Sequence, residues 1–400
     1  MDEAAPPCHR AGMTKHAPIS PRLRATGAPP IPAARAWAAA YDGRAGAEID
    51  LTQAVPGYPP HPEMLERLAA AAGTRAAAGY GAIEGDAGLR EALAADMSGF
   101  YRAAIDPARV AITAGCNLAF AMAATAAAAP GEAVMLPAPW YFNHHMALTM
   151  HGIDTVPLPC AAADGFIPDP DRAAALLTPN VRAIVLVSPN NPTGAIYPAA
   201  TIARFAELCR ARGLWLILDE TYRDFLPEQS VPPHALFSDP DWTDVLVHLY
   251  SFSKSYCIPG HRVGAIAAGG EFRSELLKVL DTMQICPSRA PQTALTWAIE
   301  GLRDWRAANR TLMAGRAEAF RAASNRFGDW KLDALGAYFA YLRLPEAMPE
   351  AIATAERLAA TRGLATLPGP FFGPGQDRHL RLAFANVDLA AIAEVPTRLG

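Results

Sequence analysis

Beyond Ile49 the chain is a series of short, uninterrupted apolar runs separated by helical stretches, and this alternation limits the fold more than any other feature. VAIT (110–113), EAVMLP (132–137), AIVLVSP (183–189), LWLILDE (214–220), DVLVHLYSFS (244–253) and VGAIAAG (263–269) are continuous apolar segments of strand length. Strands covered on both faces need that composition. Helical stretches such as ATIARFAELCRARG (200–213), closed by Gly213 as a C-cap, separate most of them. The pattern predicts an α/β fold with a mainly parallel central sheet sandwiched by helices. Ligands in such sheets bind beyond the carboxyl ends of the strands.

From about residue 305 the texture changes. A long helix (305–324), a strand (336–344), a helix (349–362) and a last strand (379–385) predict a smaller α+β domain. The expected division is an N-terminal arm and small-domain segment at 1–48, a large cofactor-binding domain at 49–304 and a C-terminal small domain at 305–400. Residues 1–32, rich in Pro, Arg and Ala, read as an extended arm, and Met13 is a candidate natural start, which would set residues 1–12 outside the natural protein.

Composition excludes several functions. Of 400 residues, 51% are apolar and 18% charged, as in a soluble globular protein, and the net charge of −4 offers nothing to nucleic acid or an anionic membrane. The most apolar helix candidate, LAFAMAATAAAA (118–129), is too short to span a bilayer. Cys8, Cys116, Cys160, Cys209, Cys257 and Cys286 have no CxxC or metal spacing. They predict reduced thiols and a cytoplasmic location.

The informative residues follow the strands. Asp219 ends LWLIL, where a carboxylate needs a cation or a strong donor, and Tyr222 stands one turn on. SPNNPTG (188–194) is a turn with two asparagine amides. In VAITAGCNLAF, Gly115, Cys116 and Asn117 open a helix whose N-terminus suits a phosphate. PAPWYFNHH (137–145) sets Trp140, Tyr141 and Phe142 where a ring could stack, while His144 and His145 lack metal partners, so no metal site is expected. Each of these alone is also an ordinary turn, cap or packing residue.

SFSKSYCIPGHRVG (251–264) completes the set. Only four lysines occur in the chain, Lys15, Lys254, Lys278 and Lys331, so Lys254 is not one of many interchangeable cations. A lysine in an apolar site loses basicity and becomes a nucleophile suited to a Schiff base. Ser251 and Arg262 supply anion donors beside it. Together the elements ask for a planar ring with a basic nitrogen, a phenolic oxygen, an aldehyde and a phosphate, which describes pyridoxal 5′-phosphate. The glycine fingerprints of dinucleotide-binding and P-loop proteins are absent.

The order SPNNPTG, DETY, SFSKxxxxxGxRVG resembles the class I/II aminotransferases of pyridoxal-phosphate fold type I. LTQAVPGYPPHPEML (51–65) is similar to that family's N-terminal substrate loop, YGAIEGDAGLREALA (80–94) to its Y-x4-G-x3-LR block, and LRLAFA (380–385) to its C-terminal motif. The resemblance implies that Lys254 binds the cofactor covalently, Asp219 its ring nitrogen, and Asn191 and Tyr222 its phenolic oxygen. Tyr141 would stack on the ring, and Gly115, Cys116, Asn117, Ser251 and Arg262 would hold the phosphate. Tyr80 would reach the phosphate of a neighbouring subunit, which implies a homodimer with shared sites. Arg381 would clamp the substrate α-carboxylate, with Asn191 and Ala54 beside it. Ala54 replaces a usual glycine, His144 stands where tyrosine is common, and Arg289 falls near the expected interface.

The activity so implied is transamination between an L-amino acid and a 2-oxo acid. A C–S β-lyase or an ACC-synthase-like cyclase on the same scaffold would share every cofactor residue. A regulator carrying such a domain is disfavoured, since the roughly 45 residues before the core show no helix-turn-helix pattern or basic patch. Side chains at 53–61, Trp140 and Phe142 are the expected walls of the substrate pocket.

Overall fold

The computed structural model describes residues 17–400, so Met13 and Cys8 lie outside the described residues. Seven strands form the central sheet: β1 Val110–Thr113, β2 Ala133–Ala138, β3 Asp154–Pro159, β4 Val181–Val187, β5 Trp215–Asp219, β6 Leu246–Ser251 and β7 Gly264–Ala267. Their order is β1-β7-β6-β5-β4-β2-β3. Only β7 runs antiparallel to its neighbours, and the other pairings are parallel. Helices cover both faces, so every residue of β1, β2, β6 and β7 is buried.

β3 was not among the apolar runs because it is an edge strand with mostly exposed or half-exposed residues. Pro157 and Pro159 are tolerated there because an edge leaves one row of N–H groups unpaired. β6 also ends two residues earlier than its composition suggests. The Ser251 hydroxyl accepts the Ser253 N–H at 3.3 Å and starts a single helical turn, Phe252–Ser255, which carries Lys254. In the N-terminal stretch read as an extended arm, prolines at the first helical position start two short helices, Pro21–Ala25 and Pro30–Ala38.

A second, antiparallel sheet contains β8 Lys331–Gly336, β9 Phe339–Arg343, β10 Leu367–Pro368 and β11 His379–Ala383, in the order β10-β11-β9-β8. The single strand expected at 336–344 is thus the second arm of a hairpin. Its first arm, KLDALG, is mostly half-exposed and lacks a continuous apolar run. Ile49–Asp50 pairs in parallel with Leu364–Ala365, and Ile49 and Leu51 join the core formed by Phe320, Leu342 and Leu380.

The two sheets meet through backbone. Gly194, at φ +78°, closes the SPNNPTG turn after β4 and lies against Gly336 of β8, where an added Cβ would come within 2.4 Å of the Gly336 nitrogen and oxygen. Gly194→Ala combines a left-handed strain with a clash against backbone and should cost about 2–4 kcal/mol in urea unfolding. An unchanged unfolding midpoint would contradict this contact.

Candidate active site

Parallel topology brings the carboxyl ends of β1, β2, β4, β5 and β6 to one edge. A cleft of about 140 Å³ opens there, lined by Cys116, Asn117, Tyr141, Asn191, Asp219, Thr221, Tyr222, Ser251, Ser253, Lys254 and Arg262. Most of the residues singled out after the strands therefore converge.

Asp219 ends β5 and is buried. Burial alone would raise its pKa, but donors overcome that and hold the carboxyl below its ordinary range. His144 Nε2 lies 3.2 Å from Oδ2. Thr221 gives Oδ1 its N–H at 3.0 Å and its hydroxyl at 2.7 Å. The His144 ring stacks on Phe120, with centroids 3.9 Å apart, which fixes its plane. The Cys116 thiol lies 3.8 Å from Oδ1, and burial followed by the Asp219 charge keeps it protonated.

Lys254 has lost basicity. Burial first, then repulsion from Arg381 and Arg262, lower its pKa to about 8. Its Nζ donates to the Ala54 carbonyl. Arg262 begins the return into β7 and touches Gly115 so closely that an added Cβ would lie 2.1 Å from Nη2. Gly115, at φ +91°, is followed directly by the helix Cys116–Ala127, which has no side-chain N-cap. A helix N-terminus and a guanidinium thus face one concavity, as a phosphate requires. Tyr141 is tied to Asn117 Oδ1 at 3.2 Å, and burial pushes its phenol up to about 12. Asn190 builds the turn by accepting from Thr193, which leaves Asn191 to face the cleft.

Arg381, on β11, reaches the cleft from the second sheet. It donates to Asn191 Oδ1 at 3.2 Å and to the Thr52 carbonyl, and its Nε has no partner among the described residues. Tyr80 lies outside the cleft of its own chain and is 82% exposed. Arg289 pairs with Asp86 at 3.2 Å and donates to the Ala76 carbonyl. Trp140 and Phe142 do not line the cleft. Trp140 packs on Gly373, and Phe142 joins Ala34, Leu367 and Phe372. His144, Thr221 and Ser253 were not singled out from sequence as site residues. Thr221 and Ser253 stand two residues beyond and one before a recognised residue, but His144 carries no local signal.

A nucleophilic lysine, an ionised carboxylate, a hydroxylated rim and an anion cradle fit pyridoxal phosphate, and with the doubly covered sheet they define an enzyme of fold type I. The chain belongs to aminotransferase class I and II, whose family model matches residues 47–399. It is a pyridoxal-phosphate-dependent aminotransferase. It is 27% identical to an aromatic aminotransferase of Arabidopsis thaliana over 88% of each chain. It is 30% identical to an arginine–pyruvate transaminase of Pseudomonas aeruginosa over 76% of this chain and 77% of that one. A mutant aspartate aminotransferase of Thermus thermophilus shares the fold with a TM-score of 0.86 at 24% identity, over 96% of this chain and 99% of that one.

The lowered basicity of Lys254 gives a pH test. A lysine captures an aldehyde as its neutral amine, so if Lys254 is the residue that takes up pyridoxal phosphate, borohydride-trapped capture by cofactor-free protein should rise with pH through a midpoint of about 8. An inflection in the ordinary lysine range would contradict a desolvated Lys254.

Proposed function

We propose that Lys254 holds the cofactor as a Schiff base and that Arg381 binds the α-carboxylate of both amino acid and 2-oxo acid. Arg381 is the observation that carries this reading. It is 2% exposed, yet among the described residues no aspartate or glutamate forms an ion pair with it. A buried guanidinium without an acid is costly, and a substrate carboxylate would supply the missing partner bidentately.

Bound pyridoxal phosphate supplies an aldehyde that takes up amines and a protonated ring that accepts the electron pair left at the substrate Cα. Asp219, held ionised, keeps the proton on the ring nitrogen. Asn191 and Tyr222 hold the phenolic oxygen, and Tyr141 covers the ring. Gly115, Cys116, Asn117, Ser251 and Arg262 bind the phosphate, with Ser253 beside them. Lys254 Nζ would be the group placed to take the proton from the substrate Cα. Arg381, with Asn191 and Ala54 beside it, fixes the carboxylate and so restrains which Cα bond faces the lysine.

The relatives named above act, by their names, on aromatic amino acids and on arginine. The amino acid core is common to them, and Arg381 would recognise that core. Tyr80 projects from its own chain together with the exposed Met283 and Ile285, which supports a homodimer in which Tyr80 reaches the partner's phosphate. We assign 49–304 to the cofactor-binding domain and 305–400, with a segment of 1–48, to the small domain. The free thiols of Cys116, Cys160, Cys209, Cys257 and Cys286 suit the reducing cytoplasm.

Lys254→Ala should abolish borohydride-trappable cofactor, and label retained elsewhere would refute the assignment. Arg381→Ala should lower kcat/KM about 10²–10³-fold for amino and oxo acids alike, because it removes one side of a buried charge pair. Ammonia, or pyruvate in excess over enzyme sites, released from a donor without an acceptor would sink transamination.

A further inference from the structure

The chain neighbours of Asp219 and Lys254 are the two ends of one partly buried network of polar and cation–ring contacts. Ser255 Oγ is 3.1 Å from Tyr250 Oη, which donates to Asp224 Oδ2 at 2.7 Å. Arg306 bridges Asp224 Oδ1 at 3.2 Å and Asp96 Oδ1 at 3.1 Å. Asp96 Oδ2 accepts from Arg223 Nη2 at 2.7 Å. Arg223 is wholly buried, with its guanidinium carbon 4.1 Å above the Tyr250 ring and 5.5 Å from that of Tyr101. Tyr101 donates to Glu220 Oε2, which also receives His248 Nε2 at 2.9 Å and His234 Nε2 at 3.3 Å.

Chemistry fixes the direction of these bonds. A carboxylate only accepts, so the Tyr250 hydroxyl spends its one proton on Asp224, and in the Tyr250–Ser255 contact Ser255 is the donor, its hydroxyl lying where it also interacts with the Asp224 carboxylate. Burial followed by the Asp224 charge pushes the Tyr250 phenol well above its ordinary range, so that proton stays in place. At the far end the Leu236 N–H donates to His234 Nδ1 at 3.2 Å, so His234 is the Nε2–H tautomer and donates to Glu220. Only four residues, Phe252–Ser255, form the turn that carries Lys254. A single turn is not stable by itself and needs outside contacts to hold its geometry.

We propose that Tyr250 is a positioning residue for Lys254: it accepts the Ser255 hydroxyl, is itself anchored on Asp224, and so pins the turn from which the lysine projects. The proposal rests on the reading that Lys254 holds the cofactor. Ser251 caps the turn at its start, and Ser255 ties its end to a network reaching Asp96 and Arg306. The lysine is thereby referenced to β6 and to the long helix Arg303–Ser324 rather than to its own loop.

Holoenzymes of Tyr250→Phe, Ser255→Ala and Ser255→Thr test this. Each is compared with the wild type by pH titration of the bound cofactor's absorbance, by separate kcat and KM, and by thermal unfolding. Tyr250→Phe and Ser255→Ala should shift the absorbance midpoint in the same direction and lower kcat about tenfold, with KM changed less than about twofold. Ser255→Thr, which keeps the hydroxyl, should restore both. A wild-type midpoint and kcat in Ser255→Ala overturns the proposal even if Tyr250→Phe is too unstable to purify. Lys254→Ala losing its trappable cofactor while both network variants stay silent overturns the positioning role alone. Cofactor trapped on another residue overturns this role and the lysine assignment together.

Discussion

The site depends on one buried carboxylate kept charged. Asp219 closes the central strand of a sheet covered on both faces, where an unpaired acid would take up a proton. It stays ionised because His144 and Thr221 reach it from two directions. Each donor imposes a demand on the fold. The helix Phe142–His151 must begin immediately after Tyr141 so that His144 faces inward onto Phe120. The chain after Asp219 must turn at once so that Thr221 folds back on it. Glu220, the next residue, has its own donors in Tyr101, His234 and His248. Two adjacent acids are thus solved separately, each with its own set of partners.

Much of this was legible in the sequence because buried parallel strands must be apolar throughout, and chemistry collects where they end. The six apolar runs named strands of the central sheet, and Asp219, Asn191, Lys254 and Gly115 stood out as polar or flexible residues placed just after them. What was not legible depends on partners distant in sequence. β3 is half-exposed and carries prolines, so its composition matches a loop; only pairing with β2 makes it a strand. KLDALG lacks an apolar face of its own and becomes a strand through β9. His144 looks like one of two adjacent histidines until the fold sets it 3.2 Å from a residue 75 positions later. The end of β6 was misjudged for a local reason, since a serine cap outweighs the apolar run that precedes it.

Electrostatics connect the two ends of the cleft. Lys254 is lowered first by burial and then by two guanidiniums, Arg381 on one side and Arg262 on the other. Arg381 is itself lowered to about 10 by burial. The two guanidiniums flanking Lys254, with Asp219 as the nearby carboxylate, leave positive charge in excess, and two anions at opposite ends would balance it. On the assignment proposed above, those anions are the cofactor phosphate at Arg262 and the substrate carboxylate at Arg381. They arrive at different times: the phosphate stays, while a carboxylate enters with each substrate. Neutralising Arg381 removes one of the repulsions that depress Lys254, so an entering carboxylate makes the lysine a stronger base. That gain comes when Lys254 must take a proton from Cα rather than remain a neutral nucleophile. On that assignment the arginine would have two consequences from one position, orienting the substrate and tuning the base, and neither would depend on the substrate's side chain.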